Sequence, residues 1–233
     1  MKKLNGSNSL LAGVSTGLGH ALAYDLSWSG STVLITARNG EKLKKIAESA
    51  KTKYFPCDLN RESDLLLEHF SREIGEIDNL VVLIGGYVQD SILDMKGLDE
   101  MLESHVRTTL RFVEKCVKKM HPGSNIVLVS STQTMKTSSS SGLSYSIAKT
   151  ALNKATEVMA SSLIPSEIRV NAVAPSSMMD EFVPDRDYSR LRKIGDLQTP
   201  PEDVASVIKW LLSPESEWVN GAVIPVDGGY RLR

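Results

Sequence analysis

Short apolar runs alternate with stretches of helical period along almost the whole chain. Ser9 to Leu26 sets the pattern. Leu10, Leu11 and Ala12 form the apolar run that a strand buried on both faces needs, and Gly13, Gly17 and Gly19 follow as G-x-x-x-G-x-G. Leu18, Ala21, Leu22 and Leu26 then recur at helical spacing, with Asp25 breaking the stripe. Thr32 to Ala37 predicts a second buried strand after a stop at Ser29-Gly30, and Glu41 to Ala50 an exposed helix with Leu43, Ile46, Ala47 and Ala50 inward. Lys53 to Pro56 predicts a short third strand, Glu62 to Ile74 a helix with Leu65, Leu66, His69 and Phe70 inward, and Asn79 to Ile84 a central strand.

A long helix is expected from Asp99 to Met120, ended by His121-Pro122-Gly123, and then a fifth strand from Asn125 to Ser130. Tyr145 to Leu163 has Ile147, Ala148, Ala151, Leu152, Ala155, Val158 and Met159 at helical spacing. Arg169 to Ala174 reads as a sixth strand closed by Pro175, Pro200 to Leu212 as the last helix, and Gly221 to Val226 as the edge strand. Regular alternation of strand and helix predicts an α/β fold built on a parallel sheet. Two stretches stand outside it. Gln133 to Gly142, with Ser138 to Ser141 in a row, cannot build a core and is expected to be exposed. Residues 176–199 show no clean periodicity and carry Met178, Met179, Phe182, Tyr188 and Leu191 among many charges, including Asp180; a loop of that length predicts a substrate lid.

Composition narrows the class. A chain of 233 residues with 41% hydrophobic and 24% charged residues fits one domain over residues 1–233. A net charge of -1 gives no electrostatic reason to expect nucleic acid or an acidic membrane as partner. Met1-Lys2-Lys3 is followed by Asn5, Gly6, Ser7 and Asn8, which interrupt any leader-like apolar region, and no run is long enough to span a bilayer. Cys57 and Cys116 lie far apart without metal-ligand spacing and read as reduced cytoplasmic thiols, while His20, His69, His105 and His121 are scattered. No metal site is expected.

The candidate chemistry begins at the first turn. Glycines there allow a sharp turn, close approach of a pyrophosphate and tight helix packing, and the N–H groups opening the next helix attract phosphate. The second strand ends on Ala37-Arg38, where an acid would bind ribose hydroxyls and an arginine would pair with a 2′-phosphate; the arginine favours NADP(H), with NAD(H) still possible. Asp58, ahead of Leu59, is either an acceptor for an adenine amino group or a helix cap. Gly85-Gly86 lets backbone pass close to a ligand. His105 falls on the inward stripe of the long helix, as a buried structural histidine or a catalytic one. Tyr145 and Lys149, four residues apart, share a helix face, and an ammonium near a phenol favours the phenolate, as metal-free acid–base chemistry requires.

Over essentially its whole length the chain resembles the short-chain dehydrogenase/reductase family. Gly13-Val14-Ser15-Thr16-Gly17-Leu18-Gly19 is similar to the family's cofactor turn, Ser131 to its serine, and Tyr145-Ser146-Ile147-Ala148-Lys149 to its Y-x-x-x-K. Arg169 to Pro175 and Val226-Asp227-Gly228-Gly229 resemble its sixth strand and carboxy-terminal motif. The resemblance implies a doubly wound Rossmann fold, a seven-stranded parallel sheet with helices on both faces, assembled as a homo-oligomer, a tetramer or dimer. It implies a cofactor held by Gly13, Ser15, Thr16, Gly17, Leu18, Gly19, Arg38, Asp58, Leu59, Gly85 and Pro175, with Tyr145 and Lys149 at the nicotinamide. Tyr145 would give a proton to a carbonyl oxygen that Ser131 holds, and Lys149 would hold the ribose and lower the Tyr145 pKa. A ketone–alcohol interconversion follows, of the 3-oxoacyl-carrier-protein reductase or aldose dehydrogenase kind.

Four positions depart from the family pattern. The usual N-N-A-G after the fourth strand is Leu83-Ile84-Gly85-Gly86, the asparagine of the long helix is His105, Pro-Gly after the sixth strand is Pro175-Ser176, and Ser131 stands one residue further from Tyr145 than is usual, which makes Thr132 its rival. The first two motivate an alternative, a nucleotide-binding regulatory protein with degenerate catalysis.

Overall fold

In the computed structural model, which describes residues 4–135, 140–179 and 181–233, seven strands pair in parallel in the order β3-β2-β1-β4-β5-β6-β7. They are β1 (Asn8–Ala12), β2 (Thr32–Thr36), β3 (Lys53–Tyr54), β4 (Ile77–Val82), β5 (Met120–Val129), β6 (Arg169–Pro175) and β7 (Val223–Val226). The connecting helices are α1 (Leu18–Trp28), α2 (Gly40–Ala50), α3 (Leu59–Glu73), the composite α4 over residues 98–117, α5 (Leu143–Ser162) and α6 (Pro201–Leu212). Met1-Lys2-Lys3, Ser138 and Ser139 of the serine run, and Asp180 of the expected lid lie outside the described residues.

The apolar runs are continuous because each strand is covered on both faces. Leu11, Ile35, Val81 and Val127 pack with α1, α2 and α6, while their neighbours Leu10, Leu34, Leu80 and Ile126 pack with α3, α4 and α5. Asp25, the break in the α1 stripe, accepts a 2.6 Å ion-paired hydrogen bond from Lys209 of α6. The strand order reverses between β1 and β4, and the register aligns Ala12 with both Thr36 and Val82. The segments after β1, β2 and β4 therefore leave the sheet together, at the place where an open α/β sheet has its binding crevice.

Three local expectations need correction. His121-Pro122-Gly123 does not end the long helix; the helix stops at Val117, and the segment is an irregularity inside β5, which pairs Met120 with Ile77 and next Asn125 with Asn79. The carbonyl of Lys119 already accepts from the N–H of Ile77, so the chain joins the sheet before the proline. On α3, Leu66, Leu67 and Phe70 are buried and Leu65 is exposed, because the buried stripe runs through Ser63, Leu66, Leu67 and Phe70 at i, i+3, i+4 and i+7 and Leu65 falls outside it. On α5, Ile147 and Val158 stay exposed.

α4 is not uniform. It opens as α-helix (Leu98–Met101), widens into a π-helical segment (Leu102–Thr108) and returns to α-helix (Thr109–Val117). His105 lies in the widened part.

Candidate active site

Gly13 leaves β1 at φ +87°, and a Cβ there would stand 2.9 Å from the Ile84 nitrogen, so only glycine fits between the two strand ends. A Cβ on Gly19 would meet the Val14 Cα at 2.8 Å, which ties α1 closely to the turn. Gly17 caps α1 without a side-chain bond, and no acidic residue stands in its first turn. The helix opening is therefore suited to an anion.

Two cavities flank this turn. One, of about 740 Å³, is lined by Ser15, Gly17, Leu18 and Gly19 together with His105, Ser131, Thr132, Tyr145, Lys149, Pro175, Met178 and Met179. The other, of about 490 Å³, is lined by Gly13, Arg38, Asp58, Leu59 and Cys57. Ile84, Gly85 and Gly86 border both. An extended two-ended ligand thus has a continuous path from Arg38 past the glycine turn to Tyr145. Thr16, also expected at the cofactor, accepts at its carbonyl from the N–H of Phe182. Arg38 is exposed and has no side-chain partner among the described residues. Asp58 is the cap of α3: its carboxylate accepts from the Asn60 N–H at 3.0 Å, and its own N–H donates to Glu62 at 2.8 Å.

Tyr145 sits in the first turn of α5, and that helix end is fixed by Asp90, a residue the sequence pattern did not single out. The buried Asp90 carboxylate accepts from the Ser144 N–H at 3.1 Å, from the Ser144 hydroxyl and from the Gly97 N–H at 3.1 Å, which hold its pKa below the usual carboxylate range. Tyr87, equally unforeseen, sets its ring edge-on to Tyr145 at 5.3 Å and donates to the Ser141 carbonyl at 2.7 Å. Both come from the loop after β4, whose partners are distant in sequence. Nothing local marks them.

Ser131 ends the β5 extension and its hydroxyl hydrogen-bonds Tyr145. Its rival Thr132 is buried and donates to the Pro175 carbonyl at 3.3 Å. Burial is the largest influence on Tyr145 and pushes its pKa up, the Ser131 bond opposes this, and nearby Tyr87 adds to the rise. The expected lowering by Lys149 is absent. Lys149 is buried, its Nζ donates to the Val129 carbonyl at 2.7 Å and lies 5.7 Å from the Tyr145 ring centre, and burial brings its own pKa down to about 7. One turn of helix shares a face but does not aim the ammonium at the phenol oxygen.

His105 is fully buried. Its Nε2 lies 3.1 Å from the Gly86 carbonyl and its ring stands edge-on to Tyr145 at 5.6 Å. Burial first, then the Lys149 charge, keep its pKa down at about 4.

The expected lid, residues 176–199, is pinned at both ends. Ser177–Met178 pairs with Gln198–Thr199, and Arg186 and Arg192 grip Glu202 and Asp203 in the first turn of α6. Met178, Met179 and Leu197 face the larger cavity. Cys57 and Cys116 are free, and burial raises both thiol pKa values. Among the described residues no cluster of metal-ligating side chains forms, and no helix is long and apolar enough to cross a membrane.

Known proteins resemble the chain over almost its whole length. A family model described as enoyl-(acyl carrier protein) reductase matches residues 13–231. The 3-oxoacyl-(acyl-carrier-protein) reductase FabG of Aquifex aeolicus is 32% identical over 97% of this chain and 98% of its own. The 7alpha-hydroxysteroid dehydrogenase of Bacteroides fragilis is 27% identical over 100% of this chain and 97% of its own. A solved short-chain dehydrogenase/reductase from Serratia marcescens superposes with a TM-score of 0.86 at 25% identity, covering 98% of this chain and 99% of that one.

Proposed function

The chain belongs to the short-chain dehydrogenase/reductase family of oxidoreductases, and on that footing we propose that it interconverts a ketone and an alcohol with NADP(H) as the hydride carrier. One observation carries the reading: the Tyr145 phenol and the Ser131 hydroxyl meet on the wall of the larger cavity, beside the buried Lys149. A phenol and a hydroxyl side by side on that wall suit an oxygen that gains negative charge, which supports a carbonyl over a carbon–carbon double bond as the group reduced.

The residues present fit a nicotinamide dinucleotide. The uncapped start of α1 would hold the pyrophosphate, Arg38 the 2′-phosphate, and Gly85 and Pro175 the walls of the groove. When bound, the nicotinamide supplies or accepts the hydride. Tyr145 gives the proton to the carbonyl oxygen, and Ser131 holds that oxygen by a hydrogen bond. The raised Tyr145 pKa keeps the phenol protonated at neutral pH, the form needed for reduction. Lys149, on the same wall, would hold the ribose.

A 3-oxoacyl thioester leads the substrate classes, since the Aquifex aeolicus relative is named for that reaction. A homo-oligomer packed through α4 and α5 is supported by the exposed Ile147 and Val158 on α5. The degenerate regulatory alternative draws no support from a cavity that Ser131, Tyr145 and Lys149 line together. The deciding experiment is titration of the purified protein with NADPH and NADH by fluorescence, followed by a carbonyl screen with the tighter cofactor. Failure to bind either nucleotide would overturn the proposal.

A further inference from the structure

His105 makes contacts that neither cofactor binding nor proton transfer explains. It sits in the π-helical part of α4, a widening that is frequent at functional sites. A carbonyl oxygen only accepts, so the 3.1 Å approach of Nε2 to the Gly86 carbonyl places the imidazole proton on Nε2. Nδ1 is then bare, and it is buried without a hydrogen-bond partner among the described residues. The ring also stands at 87° to the Tyr145 ring, on which the Tyr87 ring leans as well.

Among the described residues, the turn it grips has no other side-chain anchor. Ile84-Gly85-Gly86 carries no polar side chain, Gly86 is at φ +148°, and both glycines are exposed where the two cavities meet. Left to itself, such a turn would sample many conformations. His105 refers it to a rigid helix, and refers Tyr145 to the same point.

We propose that His105 is a positioning residue whose Nε2–H bond to Gly86 and edge-on contact with Tyr145 fix, as one unit, the turn that walls the cofactor groove and the phenol that faces the reacting oxygen. The inference rests on the reading of the site as that of a carbonyl reductase. Its neutral state is secured by burial and by the Lys149 charge, so the bond persists across the physiological range.

The test compares His105→Phe, which keeps a ring against Tyr145 but removes the donor, with His105→Gln, whose amide can still reach Gly86. Phe should lower kcat about 10- to 100-fold, the scale of a small misplacement of reacting groups, with little change in melting temperature, and Gln should restore most of it. A Phe variant with wild-type kcat and KM overturns the proposal, as does a Gln variant no better than Phe. Nitrogen-15 NMR of the cofactor-free protein gives a readout that needs no turnover. A His105 proton on Nε2, unchanged from pH 5.5 to 8, supports the inference; a proton on Nδ1, or titration near pH 6.5, overturns it. Should the wild-type protein reduce no carbonyl, the functional reading fails, and the NMR result still decides the position of His105.

Discussion

Lys149 donates to the main-chain carbonyl of Val129, at 2.7 Å, and not to the phenol of Tyr145 one turn before it on α5. The ammonium is buried at the end of β5 with one neutral acceptor among the described residues, which explains why its pKa falls to about 7. A consequence for stability follows from the sign of that shift. Between pH 7 and the ordinary lysine value near 10.4 the unfolded chain binds more protons at this position than the folded one, so stability rises with pH in that window. The difference in unfolding free energy between wild type and Lys149→Met should move by about 1–2 kcal/mol in favour of wild type from pH 7 to 8.5. Urea unfolding at the two pH values measures it; a pH-independent difference would show that Lys149 titrates normally.

Tyr145→Phe removes the proton donor and keeps the ring between Tyr87 and His105. The expected loss in kcat is about 10²- to 10⁴-fold, with NADPH affinity within a factor of about two of wild type. Ser131→Ala should cost less, because Tyr145 still reaches the oxygen. Steady-state kinetics beside a fluorescence titration checks both, and unchanged turnover in the phenylalanine variant would remove Tyr145 from the mechanism.

Arg38 is free to meet a ligand at the mouth of the smaller cavity. Arg38→Ala should raise the NADPH dissociation constant about tenfold or more and leave that of NADH nearly unchanged, since a guanidinium pairs with a phosphate and not with a hydroxyl. Equal effects on the two cofactors would assign Arg38 to the solvent-exposed turn alone.

What the chain disclosed in its sequence was local. The glycine turn reads directly because steric fit at Gly13 and Gly19 admits no side chain, and the Tyr145–Lys149 spacing reads because α-helical period is fixed. The two-faced apolar runs of β1, β2 and β4 likewise demanded helices on both sides of a parallel sheet. What stayed hidden depended on distance or direction. Asp90 and Tyr87 each act on a residue 54 positions later, and no spacing rule links them. The Lys149 ammonium shares a face with the phenol and points elsewhere. His121-Pro122-Gly123 has the chemistry of a helix stop, yet the sheet took up the chain at Met120 before that stop could act. On α3 three leucines stand in a row, and only the packing against the sheet decides that Leu66 and Leu67 face in and Leu65 out.

The segment from Arg186 to Arg192 makes a last prediction about the lid. Arg186 donates through Nε and Nη2 to the two carboxylate oxygens of Glu202, at 2.6 and 2.9 Å, and both side chains are largely removed from solvent. Two parallel bonds of this kind need the planar fork of arginine, so lysine cannot replace it. Arg186→Ala leaves the Glu202 carboxylate largely buried without its charged donor, at an expected cost of about 2 kcal/mol in unfolding free energy. Arg186→Lys should recover less than half of that. The latch also holds Phe182 against His20 and Tyr24 beside the glycine turn, so its loss should raise the substrate KM more than it lowers kcat. A double-mutant cycle with Glu202→Ala separates the pair from its surroundings. A coupling below about 0.5 kcal/mol, or a KM unaffected by Arg186→Ala, would show that the lid is held by other contacts and that the ion pair only decorates it.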